Sequence, residues 1–331
     1  MHWGSNVALA PRTPIRVRRD ENQDTPLPPE VPTGKNPPDG AILDYYLPPN
    51  FSGDVQVDIR DEAGNLVHSY SSAPLPKEGG ELPFFAESWL AHPQPLSKSA
   101  GMHRFVWNLR YTNPPAVHVQ SPYNYPIAAI VGATPLPPEG PLVLPGKYEV
   151  QLKAGGQTLR ESLEVKQDPR VHAARNELES ALDLQLKIST VLGRNYEAYR
   201  QVKQLCARLG ELLKRPKEDP VAVSAKALDE KVRALEGEAT PILQTPKGVS
   251  LMAVNDSLTA LMALVDGADS APSEESFAAF HRVCQGWKDQ LAAWQKLKNK
   301  DVEAFNELLG KNNLSPVSAM PAVEADTSCG N

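Results

Sequence analysis

The chain has 331 residues and a mass of 36.1 kDa, more than one ordinary core requires, so we expect two domains. Apolar residues make up 41% and charged residues 22%, a balance that excludes a wholly disordered chain. The net charge of −6 offers no basic field to a nucleic acid, and no apolar run approaches the length of about eighteen residues that a membrane span needs.

Proline divides the chain into two halves of different character. Of the 32 prolines, 24 lie at or before Pro145. Because proline lacks an N–H and breaks helices, the first half is predicted to consist of loops and short strands. Residues 1–38 hold eight of these prolines among charged residues and are predicted to form an extended arm or linker.

Residues 39–167 alternate as β-strands do. Val55–Arg60 places apolar residues on one face and returns as Leu66–Tyr70 after a turn at Gly64, which predicts a hairpin. A second hairpin is predicted from Lys147–Lys153 and Thr158–Val165. Further strands are expected at 41–47, 104–110 and 125–131, with Trp107 in the core. Six or seven short strands between Gly/Pro turns indicate an immunoglobulin-like antiparallel β-sandwich, with insertions at about 71–100 and 112–122.

Residues 168–310 carry apolar residues in alternating steps of three and four, the period of an amphipathic helix. Asp168-Pro169 and Asp219-Pro220 each place an N-cap acceptor before a proline, so both are predicted helix starts. The four stripes are Ala181, Leu184, Ile188, Val191, Asn195, Ala198, Val202, Leu205, Leu209 and Leu212; Val221, Ala225, Leu228, Val232 and Leu235; Leu251, Val254, Leu258, Leu261 and Val265; and Phe277, Phe280, Cys284, Trp287, Leu291 and Trp294. They predict an antiparallel four-helix bundle with a long first helix.

The C-terminal region after the bundle is expected to be simple. A short helix is predicted at 301–309, ended by Gly310, and residues 311–331 are predicted to form a flexible tail. Cys206 and Cys284 fall on apolar stripes and are interpreted as small buried residues. Cys329 lies in the polar tail and is expected to be mobile, since three widely spaced cysteines are not typical of a disulfide framework.

No pattern of reactive residues predicts a catalytic, cofactor or metal site. The histidines show no HxH or HExxH spacing, and neither a G-x-S-x-G elbow nor a phosphate-binding loop occurs. A Cys284–His281 dyad is disfavoured because Cys284 lies on an apolar stripe. Asp44, Asp58 and Asp61 were considered as glycosidase carboxylates, but solvated acids are the favoured interpretation.

Five aromatic residues in or beside the insertions are the candidate contacts for a ligand or partner: Trp89, Phe84, Phe85, Tyr123 and Tyr125. Exposed aromatic rings on loops can stack on sugars or anchor a protein. The alternative is that these rings cover sheet edges and fill gaps under the loops. Trp287 and Trp294, in contrast, are expected inside the bundle.

The β region resembles the immunoglobulin-like modules of flagellar hook-capping proteins and related secreted bacterial proteins. Three motifs carry the resemblance: I-x-D-x-x-G-x-x-V at Ile59–Val67, G-x-x-x-x-x-W-x-x-R at Gly101–Arg110 and P-G-x-Y-x-V at Pro145–Val150. The resemblance implies an immunoglobulin-like sandwich.

The wider layout is similar to the C-terminal third of large bacterial BNR-repeat proteins, which have sortilin-like β-propellers and are often labelled glycosyl hydrolases. The match covers about residues 35–315 and follows the order of an N-P-P-x-G-A-x-x-x-Y-Y-L strand at Asn36–Leu47, D-P-R at Asp168–Arg170, D-x-x-P-S at Asp269–Ser273 and N-x-L-L at Asn306–Leu309. The propeller itself and its S-x-D-x-G-x-x-W box do not occur in this sequence, so the resemblance implies no hydrolase residues here.

The resemblance implies a non-catalytic accessory module that docks on or follows a β-propeller of a secreted protein. A carbohydrate-binding module using Trp89 is the first alternative, and a hydrolase by family label alone is the second. No cofactor and no nucleic acid is expected. The resemblance implies a periplasmic or extracellular location, but residues 1–20 lack the apolar core of a signal peptide. Two interpretations follow: either the protein is cytosolic, or the export signal belongs to a longer parent chain, of which this chain is a fragment or a standalone accessory piece.

Overall fold

The protein is described from a computed structural model that covers residues 7–8, 11–18, 30–32, 34, 38–74, 86–91, 94–118, 131–136, 138–238, 248–317, 320–324 and 329. It is a mixed α+β chain that divides into two compact units. The first unit comprises Met1–Asn113, Asn124–Leu182 and Asp269–Ala271, and the second comprises Pro114–Tyr123, Asp183–Ala268 and Pro272–Asn331. No helix within the described ranges is both long enough and apolar enough to cross a membrane.

The first unit contains two β-sheets. The three-stranded sheet has the order β1 (Val7–Ala8), β3 (Ala41–Leu47), β6 (Gly101–Trp107). The five-stranded sheet has the order β2 (Ile15–Arg16), β8 (Gln157–Gln167), β7 (Gly146–Ala154), β4 (Val55–Asp61), β5 (Leu66–Ser71). All neighbours are antiparallel except β2 and β8, which are parallel.

Both predicted hairpins are confirmed, and turn chemistry explains why each forms. The β4–β5 turn uses Gly64 at φ 85°, and the Asp61 carboxylate accepts hydrogen bonds from the backbone and side chain of Asn65 at 2.8 and 3.0 Å. The β7–β8 turn places Gly155 and Gly156 at φ 56° and 75°, values that glycine tolerates best. The predicted strand at 125–131 lies outside the described residues, apart from Val131.

The core of the first unit draws on both sheets, because the apolar faces of β3, β4, β7 and β8 contribute to one buried cluster. Trp107 is fully buried, as predicted, and meets the ring of Tyr148 edge-on at 5.5 Å between centroids. Gly40 sits beside the Trp107 carbonyl at φ 130°, and a β-carbon there would collide with that oxygen. Only glycine therefore fits where the chain enters β3.

The described part of the predicted N-terminal arm contributes two short strands to the sheets. Val7–Ala8 pairs antiparallel with β3, and Ile15–Arg16 pairs parallel with β8. Pairs of two residues are too short to show an alternating pattern, so backbone pairing to free sheet edges places them rather than their own hydrophobicity. Arg16 is buried in this arrangement.

The second unit is built mainly from helices. They are α1 (Arg175–Leu212, of which 175–182 group with the first unit), α2 (Pro220–Glu236), α3 (Leu251–Asp266), α4 (Glu274–Leu297) and α5 (Glu303–Lys311). Every residue of the four predicted stripes is buried except Phe277, which is half-buried. Trp287 and Trp294 are buried, as predicted.

The helix starts were predicted with mixed success. Asp219 is the N-cap of α2, where its carboxylate accepts from the backbone N–H of Val221. Asp168 does not start α1, because its carboxylate is engaged by Arg170 two residues later and the helix begins only at Arg175. There Glu177 accepts from the backbone N–H of Ala174, which is one half of a capping box.

The end of the last helix also differs from the prediction. A π-helical segment, Lys298–Val302, joins α4 to α5 without a break, and α5 continues past Gly310 to Lys311. Asn313 adopts φ 55° instead of Gly310, and backbone hydrogen bonds run from Leu314 N to Leu309 O and from Asn313 N to Gly310 O. This is a Schellman motif with asparagine in the left-handed position.

The C-terminal tail is not loose where it is described, which corrects the expectation for Cys329. Cys329 is buried and forms a disulfide with Cys284, and Val317 and Val323 are buried as well. Cysteine spacing could not reveal this pair, because its partners are separated by 45 residues and only one of them lies on a periodic stripe.

Candidate functional site

The predicted aromatic contact Trp89 lies on a short frame of backbone hydrogen bonds. Glu87–Trp89 forms a 3-10 turn, closed by a hydrogen bond of 2.9 Å from Trp89 N to Ala86 O. Thr134 N donates to Trp89 O at 3.0 Å, and Ala91 N donates to Thr134 O at 2.7 Å. Trp89 is half-buried, so part of its surface stays accessible to solvent.

The other four members of the aromatic set, Phe84, Phe85, Tyr123 and Tyr125, lie outside the described residues. Whether they join Trp89 stays a prediction. Two large apolar side chains described close to these hydrogen bonds are Leu90, which is buried, and Val131, which is exposed.

An open pocket of about 370 Å³ lies elsewhere in the first unit, and the sequence did not predict it. It is lined by Val17, Arg18, Asp168, Arg170, Val171 and Asp269. In the sequence, Asp269 is only the first residue of a D-x-x-P-S turn, and Arg16 and Arg18 are charged residues of the proline-rich arm. No strand pattern marks the two arginines, because β2 is only two residues long and Arg18 lies beyond its end.

Ion pairs organise this pocket. Asp269 contacts Arg16 at 2.8 Å and Arg18 at 2.7 Å, and its side chain is only 6% exposed. Arg16 lies almost completely buried and also donates from Nε to the Val143 carbonyl at 2.7 Å. Arg18 is the more exposed of the two arginines, so Arg16 and Asp269 form the buried pair.

A second ion pair closes the pocket at Asp168. The Arg170 guanidinium donates to its carboxylate, with Nη2 2.6 Å from Oδ2, and the Arg170 backbone N–H donates to Oδ1 at 2.9 Å. The side-chain hydrogen bonds from Arg170, followed by the backbone one, lower the pKa of Asp168 to about 2. Both carboxylates of the pocket are therefore held in ion pairs with arginines.

The acids considered for glycoside chemistry are also engaged: Asp44 lies on β3 of the three-stranded sheet, and Asp58 and Asp61 lie on β4 of the five-stranded sheet. Asp44 on β3 forms a two-pronged ion pair with Arg104 at 2.8 and 2.9 Å, which lowers its pKa. Asp61 caps the β4–β5 turn. Asp58 was expected to be solvated, and this is wrong, since it is only 2% exposed.

The burial of Asp58 follows from its neighbours in the sheet. Lys153 on β7, Ser69 on β5 and Gln56 on its own strand donate to its carboxylate at 2.6 to 2.7 Å. Burial alone would raise the pKa of Asp58, but these three hydrogen bonds outweigh it and the pKa is lowered. The carboxylate is therefore an ionised structural centre of the sheet.

The three cysteines and the imidazole of His68 also make structural contacts. Cys284 is oxidised with Cys329, so it cannot form a dyad with the exposed His281. Burial, reinforced by Glu236, raises the pKa of the Cys206 thiol to about 12, which suppresses the reactive thiolate. His68 places Nδ1 3.0 Å from the Arg110 carbonyl and stacks on Tyr70. Across the described part of the chain, no three His, Cys, Asp or Glu side chains converge as metal ligands would.

In comparisons with known proteins, no family model, no curated protein and no solved structure matches this chain. Its function is therefore inferred from the geometry above together with the motif order of the sequence.

Proposed function

We propose that this chain is a non-catalytic accessory module that docks on a β-propeller, or follows one in a longer protein. The motif order of residues 35–315 suggests the propeller as partner. The observation that carries the non-catalytic part is that each described acid and thiol weighed for chemistry is engaged in an ion pair, a cap, a disulfide or a buried contact. A module of this kind functions through its surfaces.

An immunoglobulin-like sandwich is the fold we propose for the first unit, and the strand order supports it. In that fold, strands A, B and E share one sheet, while G, F and C share the other, with C′ beside C. The strand orders β1-β3-β6 and β8-β7-β4-β5 match A-B-E and G-F-C-C′ respectively, and β2 is an additional strand at the edge of β8.

Tyr148 gives independent support for this fold. Near the start of β7, the counterpart of strand F, its hydroxyl donates to the Leu144 carbonyl four residues upstream at 2.7 Å. A tyrosine in this position that bonds back to the preceding backbone is the tyrosine corner of immunoglobulin-like domains. Its burial raises the pKa of its phenol well above the usual range, so it stays a donor.

For the second unit we propose an antiparallel four-helix bundle formed by α1, α2, α3 and α4. Each of these helices buries one stripe with steps of three and four residues, which is the packing pattern of such bundles. The Cys284–Cys329 disulfide supports an exported location, since disulfides persist in oxidising compartments.

The proposed docking is tested with a sortilin-like β-propeller of the BNR-repeat class that the motif order suggests. Native mass spectrometry of the co-expressed pair is expected to show a 1:1 complex, and an unrelated propeller of similar size serves as the control. If the chain stays a lone monomer with the BNR-repeat propeller, or binds the unrelated propeller equally well, the docking proposal is wrong.

A carbohydrate-binding module is the second candidate, favoured by the half-buried Trp89 on its fixed turn. On a glycan array, Trp89→Ala should abolish any specific signal, and Trp89→Phe should keep part of it. Binding that is absent, or indifferent to both substitutions, removes this candidate.

A further inference from the structure

One edge of the three-stranded sheet carries no neighbouring strand in the described structure. Strand β6 pairs along its whole length with β3, from Gly101 opposite Leu47 to Trp107 opposite Ala41. On its other side, no strand or backbone hydrogen bond accompanies Gly101–Trp107 among the described residues. Seven residues make this edge as long as an average strand.

Alternation of the backbone shows which groups face the open side. The Trp107 carbonyl points towards β3, since it would collide with a β-carbon on Gly40, the residue just before β3. In an antiparallel pair, successive residues direct their backbone groups alternately to the partner and away from it. Met102, Arg104 and Val106 therefore direct their N–H and C=O groups to the open edge.

The opposite outer strand, β5 in the five-stranded sheet, is covered by the chain itself. Thr112 N donates to Val67 O at 3.1 Å, and Leu96 N donates to Ser71 O at 3.0 Å. Among the described residues, the chain thus covers the outer side of β5 and leaves the outer side of β6 open. The immunoglobulin-like order proposed above has a strand D at this open position, beside strand E.

Exposure and charge define what fits beside β6. Met102 is 52% exposed, and the Arg104 side chain is 63% exposed even though Asp44 binds its Nε and Nη2. Its Nη1 group has no acceptor among the described residues and remains available for a second carboxylate. Val106 is half-buried on the same face. Along the strand, this face therefore presents an apolar, a cationic and an apolar side chain.

We infer that the open edge of β6 binds an extended segment of a partner protein by β-augmentation. The segment adds a fourth strand beside β6 through the backbone groups of Met102, Arg104 and Val106. On the outer face it presents apolar, acidic and apolar side chains at alternate positions, with the carboxylate opposite Arg104. This inference goes beyond the docking proposed above, because it depends on the edge alone and would stand if a propeller were not the partner.

Hydrogen exchange in the isolated full chain is the first test. The amides of Met102, Arg104 and Val106 are expected to exchange at least 100-fold faster than those of His103, Phe105 and Trp107, which bond to β3. Because both sets of amides lie on β6, local unfolding of the strand would affect them equally, and each set is the control for the other. Equal protection of both sets would show that the edge is already covered, and would overturn the inference.

A phage-displayed library of random nonapeptides is the probe for binding. Selected peptides should carry apolar, acidic and apolar residues at alternate positions and should protect the three open amides. Met102→Pro removes one open N–H without touching the ladder to β3, and should weaken binding at least tenfold. Met102→Thr keeps that N–H and should stay within threefold of the wild type, while a thermal melt of each variant verifies folding.

Three outcomes would overturn the inference. The first is that no selected peptide protects the β6 amides. The second is that Met102→Pro, folded like the wild type, binds the peptides equally well. The third is protection of the three amides that grows with protein concentration alongside a dimer in sedimentation, which would assign the edge to a second copy of the chain.

Discussion

The N-terminal arm of the first unit and the C-terminal tail of the second are held by different kinds of bond. The backbone of the arm pairs with the sheets, as two short strands on β3 and β8 and by a hydrogen bond of 3.0 Å from Lys166 N to Pro14 O, and the ion pairs of Arg16 and Arg18 with Asp269 add to this pairing. The tail is bound by side chains of the helices. Gln201 and Lys298 both donate to the Pro321 carbonyl, and Lys288 donates to the Cys329 carbonyl.

The difference follows from where each kind of structure leaves backbone groups free. A sheet edge exposes unpaired N–H and C=O groups, so a proline-rich segment without hydrophobic periodicity can still be ordered on it. A helix satisfies its backbone internally except at its ends, so a segment that runs along it must be held by side chains or by a covalent bond. In the second unit both occur, because the Cys284–Cys329 disulfide closes the tail.

The largest expected effect tests whether the arm depends on more than backbone pairing. Asp269→Ala leaves the buried Arg16 guanidinium without its carboxylate, which should lower the free energy of unfolding by about 3–5 kcal/mol in urea titrations. The double variant Arg16→Leu, Asp269→Leu removes both charges and should recover most of that loss. A single variant as stable as the wild type would show that backbone pairing alone holds the arm.

Loss of the disulfide should have the next largest effect and should act on the tail. Cys329→Ser is expected to lower the free energy of unfolding by about 2–4 kcal/mol, since it removes a cross-link over 45 residues. Cys206→Ala, which removes the thiol outside the disulfide, serves as the control and should cost less. Thiol titration in denaturant should give one reactive thiol before reduction and three after it; three before reduction would contradict the bond.

Asn255 on α3 sharpens the comparison, because it holds another non-helical segment on helices by a side chain. Its Oδ1 accepts from Val117 N and its Nδ2 donates to Val117 O, both at 2.9 Å. Asn255→Ala should destabilise the protein by about 1–3 kcal/mol and speed proteolysis near Val117. Ser257→Ala on the same helix loses only a local bond to Ala253 O and should be nearly neutral, so equal effects of the two changes would contradict the clamp.

The smallest expected effect is a dependence on pH at Asp168. Its pKa is about 2 in the folded protein against an ordinary value of 3.8, so its contribution to stability is present above pH 4 and is lost as the pH falls from 4 towards 2. Asp168→Asn should flatten this part of the stability profile, measured as urea midpoints between pH 5 and 2. The exposed variant Glu218→Gln should leave the profile unchanged, and an Asp168→Asn profile as steep as that of the wild type would contradict the assignment.

The sequence predicted those elements whose pattern is repeated many times. The stripe of α1 has ten members between Ala181 and Leu212, and the two hairpins combine alternation with glycine turns, so the sequence predicts their burial and pairing. The strands Val7–Ala8 and Ile15–Arg16 are too short for any pattern and exist only because a sheet edge is available to them.

Prediction of the site was limited because local sequence patterns do not show contacts between residues that are distant in the chain. Asp58 sits where the alternation predicts an exposed residue, and it is buried only because side chains of neighbouring strands close over it. The Arg16–Asp269 pair joins residues that are far apart in the chain, so no local spacing could indicate it. Trp89 was found from its residue type alone, and its half-buried position leaves the ligand hypothesis open to test.

The π-helical segment Lys298–Val302 joins α4 and α5 into one continuous helix and accommodates one extra residue between their apolar stripes. Buried residues on either side of it are Trp294, Leu297, Val302, Phe305 and Leu309, and the step from Leu297 to Val302 is five residues where the others are three or four. The surplus residue is absorbed as one wide turn, so the apolar side stays continuous from Glu274 to Lys311. A chain shortened by one residue here would form a plain α-helix, with its hydrophobic side still facing inward along the entire rod.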